Sequence, residues 1–133
     1  MNSIALQEAF PNIYRKFFAK CPTVVSAPTT FVWSGEYTTM YGGPSITQTL
    51  PMRVYVGIEP ISRPEIRYGL YDYFNPSRQQ FEPRQDETIL QEPIVALLTS
   101  ELSKMVNGAE IGFVLHVLSE APAGHGLQTS GAL

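Results

Sequence analysis

The chain is poor in the residues that staple small domains or bind zinc. Its one cysteine, Cys21, excludes an internal disulfide framework and a cysteine-rich zinc site. Only two histidines are present, so a zinc enzyme is not expected. A single buried thiol is typical of a reducing compartment, and we expect a cytoplasmic protein.

Long apolar runs and blocks of basic charge are also missing. No apolar stretch approaches the roughly 18 residues of a membrane span, and residues 1–10 lack the basic start and apolar core of a signal peptide. The formal net charge is -3, with no basic cluster. We therefore expect no membrane partner and no nucleic-acid partner. The same charge argues against single-strand stacking on the tyrosines near Arg53 and Arg67.

The 133 residues are ordinary in composition and sufficient for one domain, which we assign to residues 1–133. Apolar side chains at helical spacing predict a helix over residues 4–19, restarting near Pro11 with that proline in its first turn. Its apolar face consists of Leu6, Phe10, Ile13, Tyr14, Phe17 and Phe18.

Several extended segments follow this helix. Residues 21–37 predict a strand pair or one bent strand, and residues 45–60 predict a strand in which Pro51 marks a bend or an edge. In that strand Val54, Val56 and Ile58 alternate with less apolar residues. The remaining predictions are a strand over 65–74, a polar connection over 75–87, a helix over 89–106 and a buried strand over 109–121. Strands grouped before the second helix indicate an α+β fold.

A glycine-rich segment, "APAGHGLQTSGAL", follows the last predicted strand. Gly124 and Gly126 allow a sharp turn and a close approach of the backbone to a ligand. Free amides in such a turn, or at a helix start, favour phosphate. The segment lacks the lysine of a Walker A loop, so an ordinary strand-to-helix connection remains the alternative.

This segment resembles the second motif of the GHMP kinases, which reads Pro-x-Gly-x-Gly-Leu-x-Ser-Ser-x-Ala. Thr129 keeps a hydroxyl where the first serine stands, whereas His125 and Gln128 replace residues that are normally small. The matching residues are Pro122, Gly124, Gly126, Leu127, Ser130 and Ala132.

A second stretch, "SAPTTFVWSGEYTTMYGG", is similar to the first motif of that superfamily, Ala-Pro-Gly-(Arg/Lys) followed four residues later by Gly-Glu-His. Tyr37 stands for the histidine, and the matching residues are Ala27, Pro28, Gly35 and Glu36. The two motifs together extend the resemblance over about residues 20–133.

The resemblance implies a kinase that transfers the γ-phosphoryl group of ATP, with Mg²⁺, to a sugar or a mevalonate-like metabolite. It implies the ribosomal protein S5 domain 2-like fold, as the N-terminal domain of such a kinase. Glu36 and Ser130 are the implied catalytic and metal-binding residues, and Glu36 also belongs to the acceptor site with Tyr37, Thr39 and Tyr41. The implied ATP-binding residues are Pro122, Gly124, His125, Gly126, Leu127, Thr129 and Ser130.

Departures from the family pattern keep other functions open. Thr29-Thr30 replaces the Gly-(Arg/Lys) pair, and Tyr37 and Thr39 replace residues that bind galactose, so galactose is not favoured. Family members are usually longer, so we expect a domain that is incomplete at its C-terminus, inactive alone and weak in ATP binding. The alternatives are a degenerate member that binds nucleotide without transfer, and an S5-like interaction domain. An open sheet edge would permit a homodimer.

Three further residue groups have less specific interpretations. His116 lies in an apolar strand, where we expect it to be packed or at an edge. Cys21 has no nucleophilic context. Trp33, Tyr37 and Tyr41 are expected to pack in the strand core, with lining of an acceptor pocket or stacking on a base as the alternatives.

Overall fold

The structure, a computed structural model, describes residues 3–63, 66–72, 83–84, 100–101, 104, 112–121 and 126–127. Within these residues two helices precede a five-stranded sheet. The elements are α1 (Ser3–Ala9), α2 (Pro11–Lys20), β1 (Thr23–Ser34), β2 (Ile46–Ile61), β3 (Ile66–Asp72), β4 (Pro83–Arg84) and β5 (Gly112–Ser119).

The break between α1 and α2 falls at the position that the proline predicts. Phe10 has φ −129° and ψ 51°, because a residue before proline avoids the helical region. Pro11 then occupies the first turn of α2, where its missing N–H costs no hydrogen bond. Most of the predicted apolar face is buried or half-buried, but Phe18 is exposed and only its ring edge contacts Phe17 and Tyr55.

Strand β1 is the single bent strand of the two predicted alternatives. Its pairing with β2 is antiparallel and shifts register between Pro28 and Thr30 and again between Val32 and Ser34. Pro51 of β2 lies opposite the first of these irregularities and beyond the part of β2 that pairs with β5. Pro51 has no N–H to donate to a neighbouring strand. It is accommodated because the pairing with β1 is irregular at this position and β5 does not pair with it.

The sheet order is β1-β2-β5-β3-β4, with β5 at its centre. Only β3 and β5 run parallel, and the other described pairs are antiparallel. This mixed sheet confirms the predicted α+β class. The polar connection over 75–87 was wrong at residues 83–84, where β4 pairs with β3.

Part of the predicted helix over 89–106 lies outside the described residues. Ser100, Glu101 and Lys104 are helical, and Lys104 pairs with Glu101 at 2.6 Å. Among the residues that the structure describes, no helix is long and apolar enough to cross a membrane.

The core lies between the two helices and one face of β2 and β5. Tyr14 and Phe17 present ring edges to Tyr55, with centroids 6.2 and 6.5 Å apart. The buried cluster consists of Leu6, Tyr14, Phe17, Cys21, Tyr55 and Leu118. Val54, on the other face of β2, is buried as well, so the alternation along β2 does not separate a solvent-exposed face from a buried face.

Gly57 lets the end of α2 lie directly on β2. A Cβ atom at this position would lie 2.6 Å from Cys21 Sγ, 2.7 Å from Cys21 Cβ and 3.2 Å from Phe17 Cζ. No side chain can occupy that space without moving the helix end. The glycine therefore fixes the distance between α2 and the sheet.

We expect Gly57→Ala to lower the free energy of unfolding by about 2 kcal/mol, because the added methyl group overpacks the core. Chemical denaturation with circular dichroism measures the change. Thr47→Ala, an exposed position on the same strand, is the control and should change stability by less than about 1 kcal/mol. Equal effects of the two substitutions would contradict the close contact.

Candidate functional site

The loop of the first motif is a tight turn held by its own threonines. Gly35 has φ +89° and Gly42 has φ +77°, and a 3-10 turn (Thr38–Tyr41) lies between them. Thr38 Oγ1 lies 3.1 Å from the carbonyl oxygen of Gly35 and 3.0 Å from that of Pro44, so it can donate to either. The loop is thus ordered by local bonds rather than by burial.

The predicted acceptor residues all lie on this exposed loop. Tyr37 is 74% exposed and Tyr41 is 90% exposed, while Glu36 and Thr39 are also exposed. Thr39 Oγ1 donates to the carbonyl oxygen of Glu36 at 3.1 Å. The four side chains share one surface element, and among the described residues no second layer covers them.

The predicted core packing of Trp33, Tyr37 and Tyr41 was wrong. Trp33 is 65% exposed; its indole N–H donates to Gln48 Oε1 at 2.8 Å, and its ring meets the edge of Phe31. The reason is topological, because β5 pairs with β2 only from Val54 onward. The distal half of the β1–β2 hairpin therefore projects beyond the sheet.

The Thr29-Thr30 pair occupies the position of the family's glycine and cation. Thr29 is fully buried, and its hydroxyl donates to the carbonyl oxygen of Met52 at 3.2 Å. Thr30 is half-buried. A buried threonine thus stands for the glycine of the pattern, and an uncharged, half-buried threonine stands for its cation.

The second motif begins where β5 leaves the sheet. Ala121 is fully buried, and Ser119 Oγ donates to its carbonyl oxygen at 2.7 Å. Gly126 has φ +70°, as a sharp turn requires, and is exposed; Leu127 is half-buried. The other predicted ATP-site residues lie outside the described residues: Pro122, Gly124, His125, Thr129 and Ser130.

Glu120 is a buried acid that the sequence analysis missed. Its side chain has no exposed surface. Oε1 accepts hydrogen bonds from Ser3 Oγ at 2.7 Å and Tyr14 Oη at 2.8 Å, and Oε2 accepts one from the Arg53 N–H at 2.7 Å. The only sequence signal was an acid at the end of an apolar strand, immediately before the glycine-rich segment.

The strand register places the two motifs relative to each other. Pro28 on β1 is opposite Arg53 on β2, and the Arg53 backbone is bonded to Glu120 immediately after β5, so the three residues together span about 10 Å. Ser34 is opposite Ile46, which is roughly 20 Å from Arg53 along β2. The sheet brings the starts of both motifs together and places the Glu36 loop at the far end of β2.

His116 is a packed histidine, as predicted. It is 5% exposed, and its Nε2 lies 2.6 Å from Glu59 Oε2 on the neighbouring strand. Its register partners are Gly57 on β2 and Gly69 on β3, and a Cβ at Gly69 would lie 2.8 Å from His116 Nδ1. The missing side chain of Gly69 makes room for the imidazole ring on the sheet.

Cys21 is a buried thiol with no sign of activation. Burial raises its pKa, the nearby Glu59 carboxylate raises it further, and Lys20 lowers it. A raised pKa keeps the sulfur protonated, which is the opposite of what a nucleophile requires. In the described part of the chain, no three His, Cys, Asp or Glu residues form a group that could hold a metal ion.

The fold is similar to that of mevalonate kinases. The mevalonate kinase of Methanococcus jannaschii matches 83% of this chain with a TM-score of 0.57 and 16% identity, and 36% of that kinase is covered. A second mevalonate kinase matches the same share of each chain with a TM-score of 0.51 and 18% identity. The chain thus spans about a third of the length of these kinases. The sequence matches no protein-family model and no curated protein.

Gly35 and Gly42 provide a matched test of the loop. We expect Gly42→Ala to cost about 1 kcal/mol, because its φ is left-handed but its missing Cβ faces open space. Gly35→Ala carries the same backbone penalty and also places a Cβ 2.4 Å from the Pro44 carbonyl oxygen, so it should cost at least about 2 kcal/mol more. Thermal and urea unfolding of both variants measures the difference, and equal losses would refute this loop geometry.

Cys21 predicts an alkaline loss of stability. Because its folded pKa is raised, stability from the neutral thiol is fully present below the unfolded pKa, about 8.5, and is lost as pH rises through the folded value. Cys21→Ala lacks this titration. The stability gap between wild type and variant should narrow between pH 8 and 10, by up to about 1.4 kcal/mol per pH unit. A constant gap in urea titrations would show that the thiol does not contribute.

Proposed function

We propose that this chain is part of a GHMP-type small-molecule kinase. The observation that carries the proposal is the mevalonate-kinase-like fold with a glycine-rich segment directly after its central strand β5. The fold alone does not define a reaction, so the functional argument depends on the site. The S5 domain 2-like assignment, the cytoplasmic location and a homodimer remain parts of this proposal.

The segment after β5 is the proposed ATP site. Gly126 supports this role, because it is exposed and left-handed, and no atom of the described residues lies within 4 Å of the position that a Cβ would take. In this proposal Pro122, Gly124, His125, Gly126 and Leu127 shape the loop around the phosphates of ATP. Thr129 and Ser130 contribute hydroxyls, and Ser130 with Glu36 would hold Mg²⁺, which neutralises phosphate charge when bound.

The loop with Glu36, Tyr37, Thr39 and Tyr41 is the proposed acceptor site. Its local hydrogen bonds support this role, because Thr38 and Thr39 hold the backbone of an exposed loop that carries a carboxylate and two phenols. A carboxylate with neighbouring hydroxyls can bind the alcohol groups of a sugar or a mevalonate-like acceptor. The Glu36 loop lies roughly 20 Å along β2 from Arg53. In this proposal the segment after β5 must therefore extend along β2 for the phosphates to reach the acceptor.

Nucleotide binding without phosphoryl transfer is the second candidate. Thr30 favours it, since this residue stands where the family pattern has Arg or Lys and a threonine supplies no positive charge. Phosphoryl transfer depends on positioned positive charge, and loss of one such group can cost about 3 kcal/mol at the barrier. An S5-like interaction domain has no comparable observation in its favour.

Calorimetry and an ATP-consumption assay on the full-length protein separate the two candidates. We expect binding of Mg-ATP and turnover with mevalonate, phosphomevalonate or a hexose. Ser130→Ala should lower kcat about 100-fold, because it removes a group aimed at the phosphates. The exposed control Thr47→Ala should leave kcat unchanged. Binding without turnover would favour the second candidate, and the absence of both would overturn the two together.

A further inference from the structure

The end of β5 is built differently from an ordinary strand end. Opposed residues in a hydrogen-bonded antiparallel pair exchange two main-chain bonds. Glu120 donates its N–H to the Arg53 carbonyl oxygen at 2.9 Å, but the Arg53 N–H is accepted at 2.7 Å by Glu120 Oε2. A side-chain carboxylate thus replaces the second main-chain acceptor, and the chain can leave the sheet without orphaning the Arg53 N–H.

The other carboxylate oxygen fixes the same point to the helices. Ser3 at the start of α1 and Tyr14 in α2 both donate to Oε1. Tyr55 Oη lies 3.1 Å from Ser3 Oγ, and Gln7 Nε2 lies within 3.3 Å of both hydroxyls, so the helix side is a connected polar network. A fully buried carboxylate requires such donors, because an unpaired buried charge is strongly destabilising.

The direction in which the chain leaves β5 is also fixed at Ala121. The bond from Ser119 Oγ to the Ala121 carbonyl oxygen closes a turn across Glu120, and Ala121 has no exposed surface. Three consecutive residues are therefore immobilised immediately before the glycine-rich segment. A glycine-rich chain has little rigidity of its own, so its placement depends on its anchor.

We propose that Glu120 is a positioning residue that anchors the phosphate-binding segment, an inference that rests on the proposed kinase function. It contacts no substrate in this role. It ends β5, holds Ala121 against the core and so determines where the following backbone amides lie. Misplacement of a binding group by about 1 Å can cost roughly 100-fold in rate, which gives an indirect role of this kind a measurable effect.

Two substitutions at Glu120 in the full-length protein separate anchoring from bulk packing. Glu120→Leu fills the space with an apolar side chain but offers no acceptor to the Arg53 N–H. Glu120→Gln can turn its carbonyl oxygen to that N–H and donate its amide to the Ser3 and Tyr14 hydroxyls, which also accept. We expect Glu120→Leu to raise the KM for ATP about tenfold and to leave the acceptor KM unchanged. The KM for ATP of Glu120→Gln should lie within about threefold of the wild-type value.

Hydrogen exchange provides a readout that does not depend on activity. Peptides covering residues 119–127 should exchange at least about tenfold faster in Glu120→Leu than in wild type. Ser3→Ala, at a half-buried position, should give a smaller increase and keeps the test valid if Glu120→Leu does not fold. Asn12→Ala is the control, because Asn12 is exposed in α2 and bonds only to Arg15 among the described contacts.

The outcomes distinguish the two proposals. If wild type binds Mg-ATP but folded Glu120→Leu keeps the wild-type KM and exchange rates, the anchoring role is wrong and the kinase proposal stands. Unchanged exchange in Ser3→Ala likewise contradicts the anchor. If wild type neither binds nor consumes ATP, the kinase proposal fails, and the phosphate role of the anchored segment fails with it.

Discussion

A charge with no access to water constrains the whole described structure. The carboxylate of Glu120 is stable in the core only while its two oxygens have donors from α1, α2 and β2. Each of those donors is therefore held at a defined distance from the end of β5. Apolar packing of Leu6, Phe17 and Leu118 supplies most of the burial, but it would tolerate small sliding motions that the carboxylate does not.

The local elements were predictable because local rules determine them. Apolar spacing located α1 and α2, the proline rule located the break at Phe10, alternation located β3, and a buried-looking apolar run located β5. The contacts of polar residues inside strands were not predictable. Whether Glu120 or His116 has a partner depends on the strand register and the sheet order, which no local pattern contains.

The exposed aromatic residues show that burial, like polar contacts, cannot be predicted without the strand register. Trp33 and its neighbours have the composition of a buried strand, yet they lie on a hairpin that extends past the paired part of β2. For the candidate site, sequence predicted a sharp turn at the glycines of the second motif, and Gly126 has the positive φ of such a turn. It did not predict that the two motifs start on either side of β2 while the Glu36 loop lies at the far end of that strand, because this follows from sheet order and register.

The bond between Ser3 and Glu120 joins residues 117 positions apart. During synthesis α1 leaves the ribosome before the strands of the sheet, but its acceptor Glu120 is produced only after β5. A helix of seven residues is too short to be stable by itself in water. Helix α1 therefore waits for residues more than one hundred positions later in the chain before it acquires these native contacts, and its apolar side stays unprotected until then.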